Sequence, residues 1–161
     1  MNKEWFAVFS ETLDREQNRI SSYTLEYPKG VTNDELTKAE DVIGFELPAE
    51  LKSLLMEFNG IQEYTIDANS KRIQCGSIIW NLAAIVKWHI SWTIPNGLSL
   101  FCFGNSALGN CFGYLLEDGK PIENEIWQSD HETEPPHEYT IRRASSLKEF
   151  IATSLAESLW F

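Results

Sequence analysis

The sequence is poor in cysteine. It has three, Cys75, Cys102 and Cys111, in 161 residues, an odd number with no Cys-x-x-Cys among them. The simplest reading of that count and spacing is reduced thiols of a cytoplasmic protein. Basic residues are also scarce. Thirteen Lys and Arg stand against 24 Asp and Glu, for a net charge of −11. Direct binding to nucleic acid is disfavoured, because affinity for phosphates comes from Lys and Arg displacing counterions. Anionic membrane surfaces are disfavoured for the same reason. No apolar run approaches the ~18 residues of a membrane span. Glu4, Glu11 and Asp14 occupy the N-terminal stretch where a signal peptide needs an apolar core. The chain is expected to stay where it is made, in the cytoplasm.

What is present is the composition of a globular domain. Hydrophobic residues make up 43%, with six Trp, nine Phe and five Tyr, which argues against disorder. The length fits one domain, residues 1–161. A domain of that size buries roughly 68–70% of its unfolded surface and needs no metal or disulfide to fold. The acidity has two readings: plain solubility, or attraction to a basic protein partner.

The clearest local signal lies between Val31 and Gly60. Thr32-Asn-Asp-Glu35 is a capping box, flanked by Val31 and Leu36 at the staple positions. Leu36, Ala39 and Ile43 follow at helical spacing, and Gly44 suits a left-handed helix end. Pro48 is placed as the first residue of a second helix. Leu51, Leu54, Leu55 and Phe58 give that helix one apolar face, and Asn59-Gly60 ends it.

Elsewhere the pattern is mixed. Trp5, Phe6, Phe9 and Leu13 predict an amphipathic N-terminal helix, after which Tyr23 to Tyr27 turns extended. Gln62 to Ile66 and Ile73 to Ile79 read as strands. Asn81 caps a helix to about Trp88, although Ile90 to Ile94 also reads as a strand. Leu98 to Phe103, Cys111 to Glu117 and Pro121 to Gln128 predict an antiparallel meander, its second and third strands joined by a tight Asp118-Gly-Lys turn. Ser129 to Tyr139 reads as a loop. Ser146-Leu-Lys-Glu149 is a second capping box, opening a helix that buries Leu147, Phe150, Ile151, Leu155 and Leu159. This order of elements implies an α+β fold.

Motifs that carry chemistry are incomplete. Gly104 to Gly109 has P-loop spacing, but Asn110 and Cys111 stand where Lys and Ser/Thr belong. It reads as a loop between strands. Asp130, His131, Glu132, Glu134, His137 and Glu138 are a dense set of metal-ligand types, yet they fall in a loop without helical His spacing. They read as a solvated acidic loop, and neither a metal nor a cofactor is expected. No Gly-x-Ser-x-Gly elbow occurs. His89 reads as partly buried. From Tyr114 to Glu138 eight acids are interrupted by one base, Lys120. Glu117, Asp118, Glu123, Glu125, Asp130, Glu132 and Glu134 are the candidate contacts to a basic partner, with Trp127 as aromatic area. The alternative is a charged solvent face with Trp127 in the core.

Three stretches carry a family likeness. They are Val31 to Gly60, then Phe103-Gly-Asn-Ser-Ala-Leu-Gly-Asn110 with Phe112-Gly-Tyr-Leu, then Ile126-Trp-Gln-Ser-Asp-His-Glu132. Together they resemble the SUKH superfamily, which includes the yeast cell-wall synthesis regulator and many bacterial immunity proteins. Gly44, Leu47, Pro48, Leu51, Phe58, Asn59, Gly60, Phe103 and Gly104 match its structural pattern. Gln128 and Ser129 depart from it by separating Trp127 from Asp130. The resemblance implies N-terminal helices, a mostly antiparallel curved sheet and a C-terminal helix. It also implies a non-catalytic role: neutralising a cognate toxin, often a nuclease, or serving as a regulatory or scaffold module with a cellular partner.

Overall fold

A computed structural model describes residues 4–16, 24–89, 92–93, 98–106, 109–122, 124–130 and 140–158. The fold is α+β, as expected. Among the described residues five helices, α1 (Glu4–Glu16), α2 (Asn33–Ile43), α3 (Ala49–Glu57), α4 (Leu82–Trp88) and α5 (Leu147–Ser158), accompany an antiparallel curved sheet. Among the described residues its strands are β1 (Thr24–Glu26), β2 (Ile61–Ile66), β3 (Arg72–Ile79), β4 (Trp92–Thr93), β5 (Ser99–Asn105), β6 (Cys111–Glu117), β7 (Lys120–Pro121), β8 (Ile126–Ser129) and β9 (Thr140–Ala144). The order across the sheet is β1-β2-β3-β5-β6-β8-β9, with β4 beside β5 and β7 beside β6. Residues 90–94 were open between helix and strand. The helix ends at Trp88, and Trp92–Thr93 pairs with Leu100–Ser99.

Within Val31–Gly60 the capping box and the Gly44 helix end are as expected. Thr32 accepts from the Glu35 main-chain N–H, and the Glu35 carboxylate accepts from the Thr32 N–H at 2.7 Å. Gly44 takes the left-handed conformation, φ +91°, and donates to the Glu40 carbonyl at 2.8 Å. Glu40 also accepts the Leu47 N–H at 2.8 Å, which fixes the short link into α3. Pro48 sits one position earlier than expected. It is the cap of α3, its carbonyl accepting the Lys52 N–H. Its ψ of 138° is extended, so helical geometry begins at Ala49. Leu51, Leu54 and Leu55 are fully buried. Phe58 departs from the helical face. It is extended, bridges to Lys29, and sets its ring 4.9 Å from that of Tyr27, tilted by 48°.

The remaining matched residues hold close approaches between elements. Asn59 Oδ1 accepts the Leu82 N–H at 2.8 Å, joining Asn81 in capping α4. Gly60 has φ +85° and lies against the Asn81 main chain. The Phe103 carbonyl accepts the Trp80 N–H at 2.8 Å, and a Cβ on Gly104 would fall 1.8 Å from the Ile78 carbonyl oxygen.

The helices cover one face of the sheet. Phe101, Phe103, Phe112, Tyr114, Leu116 and Ile126 point into a core shared with Trp5, Phe9, Leu36, Leu54, Ile85, Leu147, Phe150 and Ile151. Phe6 is 42% exposed, on the rim of this core rather than inside it. The side chains of Leu13 and Leu155, and Leu159 altogether, lie outside the described residues.

Two further readings need correction. The strand expected over Pro121 to Gln128 is two strands, β7 and β8. After the Ile122 N–H bonds the Leu115 carbonyl the ladder breaks, and it resumes at Ile126. The second capping box is half as drawn. Ser146 Oγ accepts the Glu149 N–H at 3.1 Å, but the Glu149 carboxylate reaches the Ser145 N–H at 2.7 Å instead of that of Ser146. The Leu147 N–H is taken by Glu50 of α3, also at 2.7 Å. Strand β9 was not anticipated.

Candidate functional site

The acidic segment begins on a hairpin. Glu117 pairs with Lys120 across a two-residue loop, Asp118-Gly119, with φ of +49° and +74°. Positive φ at both central residues is the type I′ pattern, which matches the twist of the flanking strands and favours Asp-Gly. Glu117 and Asp118 are therefore held together at an exposed tip.

The other described acids are spread by the run of β8. That strand pairs Gly113 with Trp127 and Cys111 with Ser129. Glu125 stands just before β8 and Asp130 just after it, at opposite ends of the strand. Glu123, Glu132 and Glu134 lie outside the described residues, as do His131, His137 and Glu138. Among the described residues no group of three or more His, Cys, Asp or Glu is placed to hold a metal.

Strand β9 adds charge that the linear segment did not reveal. It pairs Arg142 with Trp127, and the Arg142 Nε–H donates to Glu125 at 2.5 Å. Arg143 follows on the same edge strand. Glu117 thus stands opposite Lys120 and Glu125 pairs with Arg142, so these acids do not form a patch of one sign. The exposed Glu125–Arg142 pair is worth at most about 1 kcal/mol, because water screens it.

Between these groups lies a hollow of about 200 Å³ lined by Leu115, Ile122, Glu125 and Trp127. Trp127 is half-buried, but not in the main core. With Trp80 and Leu115 it packs on a second cluster, Leu100, Cys102 and Cys111, on the sheet face opposite the helices. His89 is half-buried at the end of α4, its Nδ1 against the Val86 carbonyl. Around Gly104 to Gly109, the Ser106 N–H bonds the Asn110 carbonyl and the Gly109 N–H bonds the Ser106 carbonyl, closing a turn between β5 and β6.

One surface escaped the sequence reading. Val31, Ala39 and Val42 of the α2 segment and Leu82, Ala83 and Val86 of α4 line a groove of about 450 Å³, with Glu35, Lys38 and Asn59. Val42 is 63% exposed. Its signal was present: Val42 falls off the Leu36–Ala39–Ile43 stripe, and an apolar residue on a helix's outer side marks a contact surface when others join it.

Residues 30–153 match the model of the SMI1/KNR4 family (SUKH-1). The chain belongs to that family. No curated protein matches it. In this SUKH-1 chain the matched region opens at Gly30, just before the capping box, and closes within α5; α1 and β1 precede it. Among the described residues no helix is long and apolar enough to cross a membrane.

Proposed function

We propose that this SUKH-1 protein is a cytoplasmic immunity protein that sequesters a cognate toxin, a basic nuclease domain, by non-catalytic protein–protein binding. The family match over residues 30–153 is the observation that carries the reading. The net charge of −11 supports it, since a nuclease that grips phosphates presents a basic site which an acidic inhibitor can cover. The proposed contacts are Glu117, Asp118 and Glu125, with Asp130 and the segment carrying Glu123, Glu132 and Glu134. Trp127 and the hollow beside it supply apolar area, the kind of anchor that concentrates binding energy.

The test is co-expression with the toxin encoded beside its gene, followed by purification of the pair. Protection of the cells and a stable stoichiometric complex are expected. Unprotected cells and two species that elute separately would sink the proposal.

A second reading, a regulatory or scaffold module with a cellular partner, draws on the α2–α4 groove. Its rim holds one acid and one base, Glu35 and Lys38, so it does not select a basic partner. Capture of a cellular protein that is lost on Val42→Glu, with toxin protection absent, would favour it.

A further inference from the structure

The sheet face opposite the helices holds two thiols that the proposed function does not use. Cys102 lies mid-strand in β5, and Cys111 opens β6. Cys102 is opposite Gly113 and Cys111 is opposite Asn105, so the two are diagonal neighbours across one antiparallel pair. Both are free, 2% and 8% exposed, and both pack with Leu100 in a single cluster. Diagonal positions on one face lie about 7–8 Å apart, less between Cβ atoms, and inside the Leu100 cluster the two thiols are close enough to interact directly. Gly113 places no side chain between them. A Cβ there would come within 2.3 Å of the Phe101 carbonyl oxygen and 3.0 Å of Leu100 Cγ, so the gap is one that only glycine leaves open.

The Cys102 thiol is directed at the Leu100 carbonyl, 4.0 Å away. Interaction between the two thiols, with burial, pushes the Cys102 thiol up and draws the Cys111 thiol below its ordinary range. The sulfurs are therefore unequal: Cys111 is the better thiolate and Cys102 holds its proton. Cys111 is also the more accessible, at a strand end beside the Ser106–Asn110 turn, where a ladder opens more readily than at its centre.

We propose that Cys102 and Cys111 are a dithiol–disulfide site, converted to a cross-strand disulfide by a small-molecule disulfide of the glutathione type. The Cys111 thiolate attacks one sulfur of the small disulfide, forming a mixed disulfide and releasing one small thiolate. Cys102 then gives its proton to solvent, and its sulfur attacks that of Cys111. The Cys102–Cys111 bond forms as the second small thiolate leaves. The cysteine pair loses two electrons and two protons, and the small disulfide is reduced to two thiols. The product ties β5 to β6 in the middle of the sheet. The site does not depend on the toxin-binding reading.

The experiment treats the full chain with oxidised glutathione under native conditions. Remaining thiols are then alkylated in denaturant, and the digest is read by mass spectrometry. The expected product is Cys102 linked to Cys111, two hydrogens lighter, with no glutathione retained and Cys75 alkylated. The thermal midpoint is expected to rise by about 5 °C, from the entropy of a short closed loop. Dithiothreitol reverses the rise, and Cys111→Ala abolishes it. Full alkylation of both cysteines, glutathione retained on Cys111 as the end product, or a link to Cys75 would each overturn the proposal, and each is read on the unmutated chain.

Discussion

The Glu57 carboxylate at the end of α3 accepts the main-chain N–H of Trp5, 52 residues earlier in the chain, at 3.0 Å. Its other oxygen accepts the Phe6 N–H at 2.9 Å. The first N–H groups of a helix have no intrahelical acceptor, and a nearby negative charge also complements the helix dipole. Here a carboxylate only 9% exposed performs both roles for α1. The Trp5 indole N–H adds a bond to Ser53 at 3.1 Å. Since Glu50 takes the Leu147 N–H, α3 holds the starts of both the first and the last helix.

Glu57→Ala is expected to destabilise the protein by about 2–3 kcal/mol, the scale for removing a charged acceptor from buried donors. Urea unfolding measures the loss. Amide exchange at Trp5 to Phe9 is expected to accelerate more than exchange in β5. Equal acceleration in both would show that α1 is not held locally by Glu57.

Two glycines make a graded pair. Gly44 has φ +91° with open space around it, so Gly44→Ala is expected to cost only the left-handed strain, about 1–2 kcal/mol. At Gly104 the new Cβ meets a main-chain carbonyl of β3 at 1.8 Å, and the strands must part. Gly104→Ala is expected to cost more than about 4 kcal/mol or to prevent folding. Comparable thermal midpoints for the two variants would contradict the close β3–β5 contact.

The caps make stability fall with acid. Thr32, through its main-chain N–H first and then its hydroxyl, holds the Glu35 carboxyl below the usual range. The Ser145 hydroxyl and N–H do the same for Glu149. A carboxyl lowered in the folded state stabilises above its unfolded pKa, and that contribution is lost as pH falls through the lowered folded value. The urea midpoint of the native chain is thus expected to exceed that of Glu35→Gln/Glu149→Gln near neutrality and to converge with it in acid. A gap that stays constant down to pH 2.5 would assign the difference to something other than ionisation.

Binding charge is tested without disturbing the turn. Asp118→Asn keeps a residue that tolerates positive φ, and Glu117→Gln keeps the strand. Together they are expected to slow association with a basic toxin severalfold at low salt, with little change in dissociation. Thr32→Ala, far from this tip, is expected to lose about 1 kcal/mol of stability and leave association unchanged. An unaltered association rate in the double variant would move the contact to another face, with the α2–α4 groove next in line.

Much of the fold was legible where a few consecutive residues decide the outcome. The Thr32–Glu35 box, Gly44, Asn81 ahead of α4 and the Asp118-Gly119 turn all satisfy their own backbone within four residues. Errors fell where the partner is distant. Phe58 has helical spacing yet leaves the helix to meet Tyr27 and Lys29. Glu149 had two serines in reach, and only the path of the chain from β9 chose Ser145. Thr140 to Ala144 carries two arginines, which hid an edge strand exposed on both sides.

The candidate site divides the same way. Sequence alone established the acidity, the tight turn and the family pattern, because composition and short-range geometry survive without a fold. Tertiary structure alone decided that Arg142 stands against Glu125, that Asp130 is at the other end of β8, and that Cys102 lies diagonal to Cys111. Strand register sets each of these, and register is chosen by which side chains the sheet buries against the helices. That choice is made by Phe101, Phe103, Phe112 and Phe150 meeting across the core, contacts between residues that the chain alone keeps far apart.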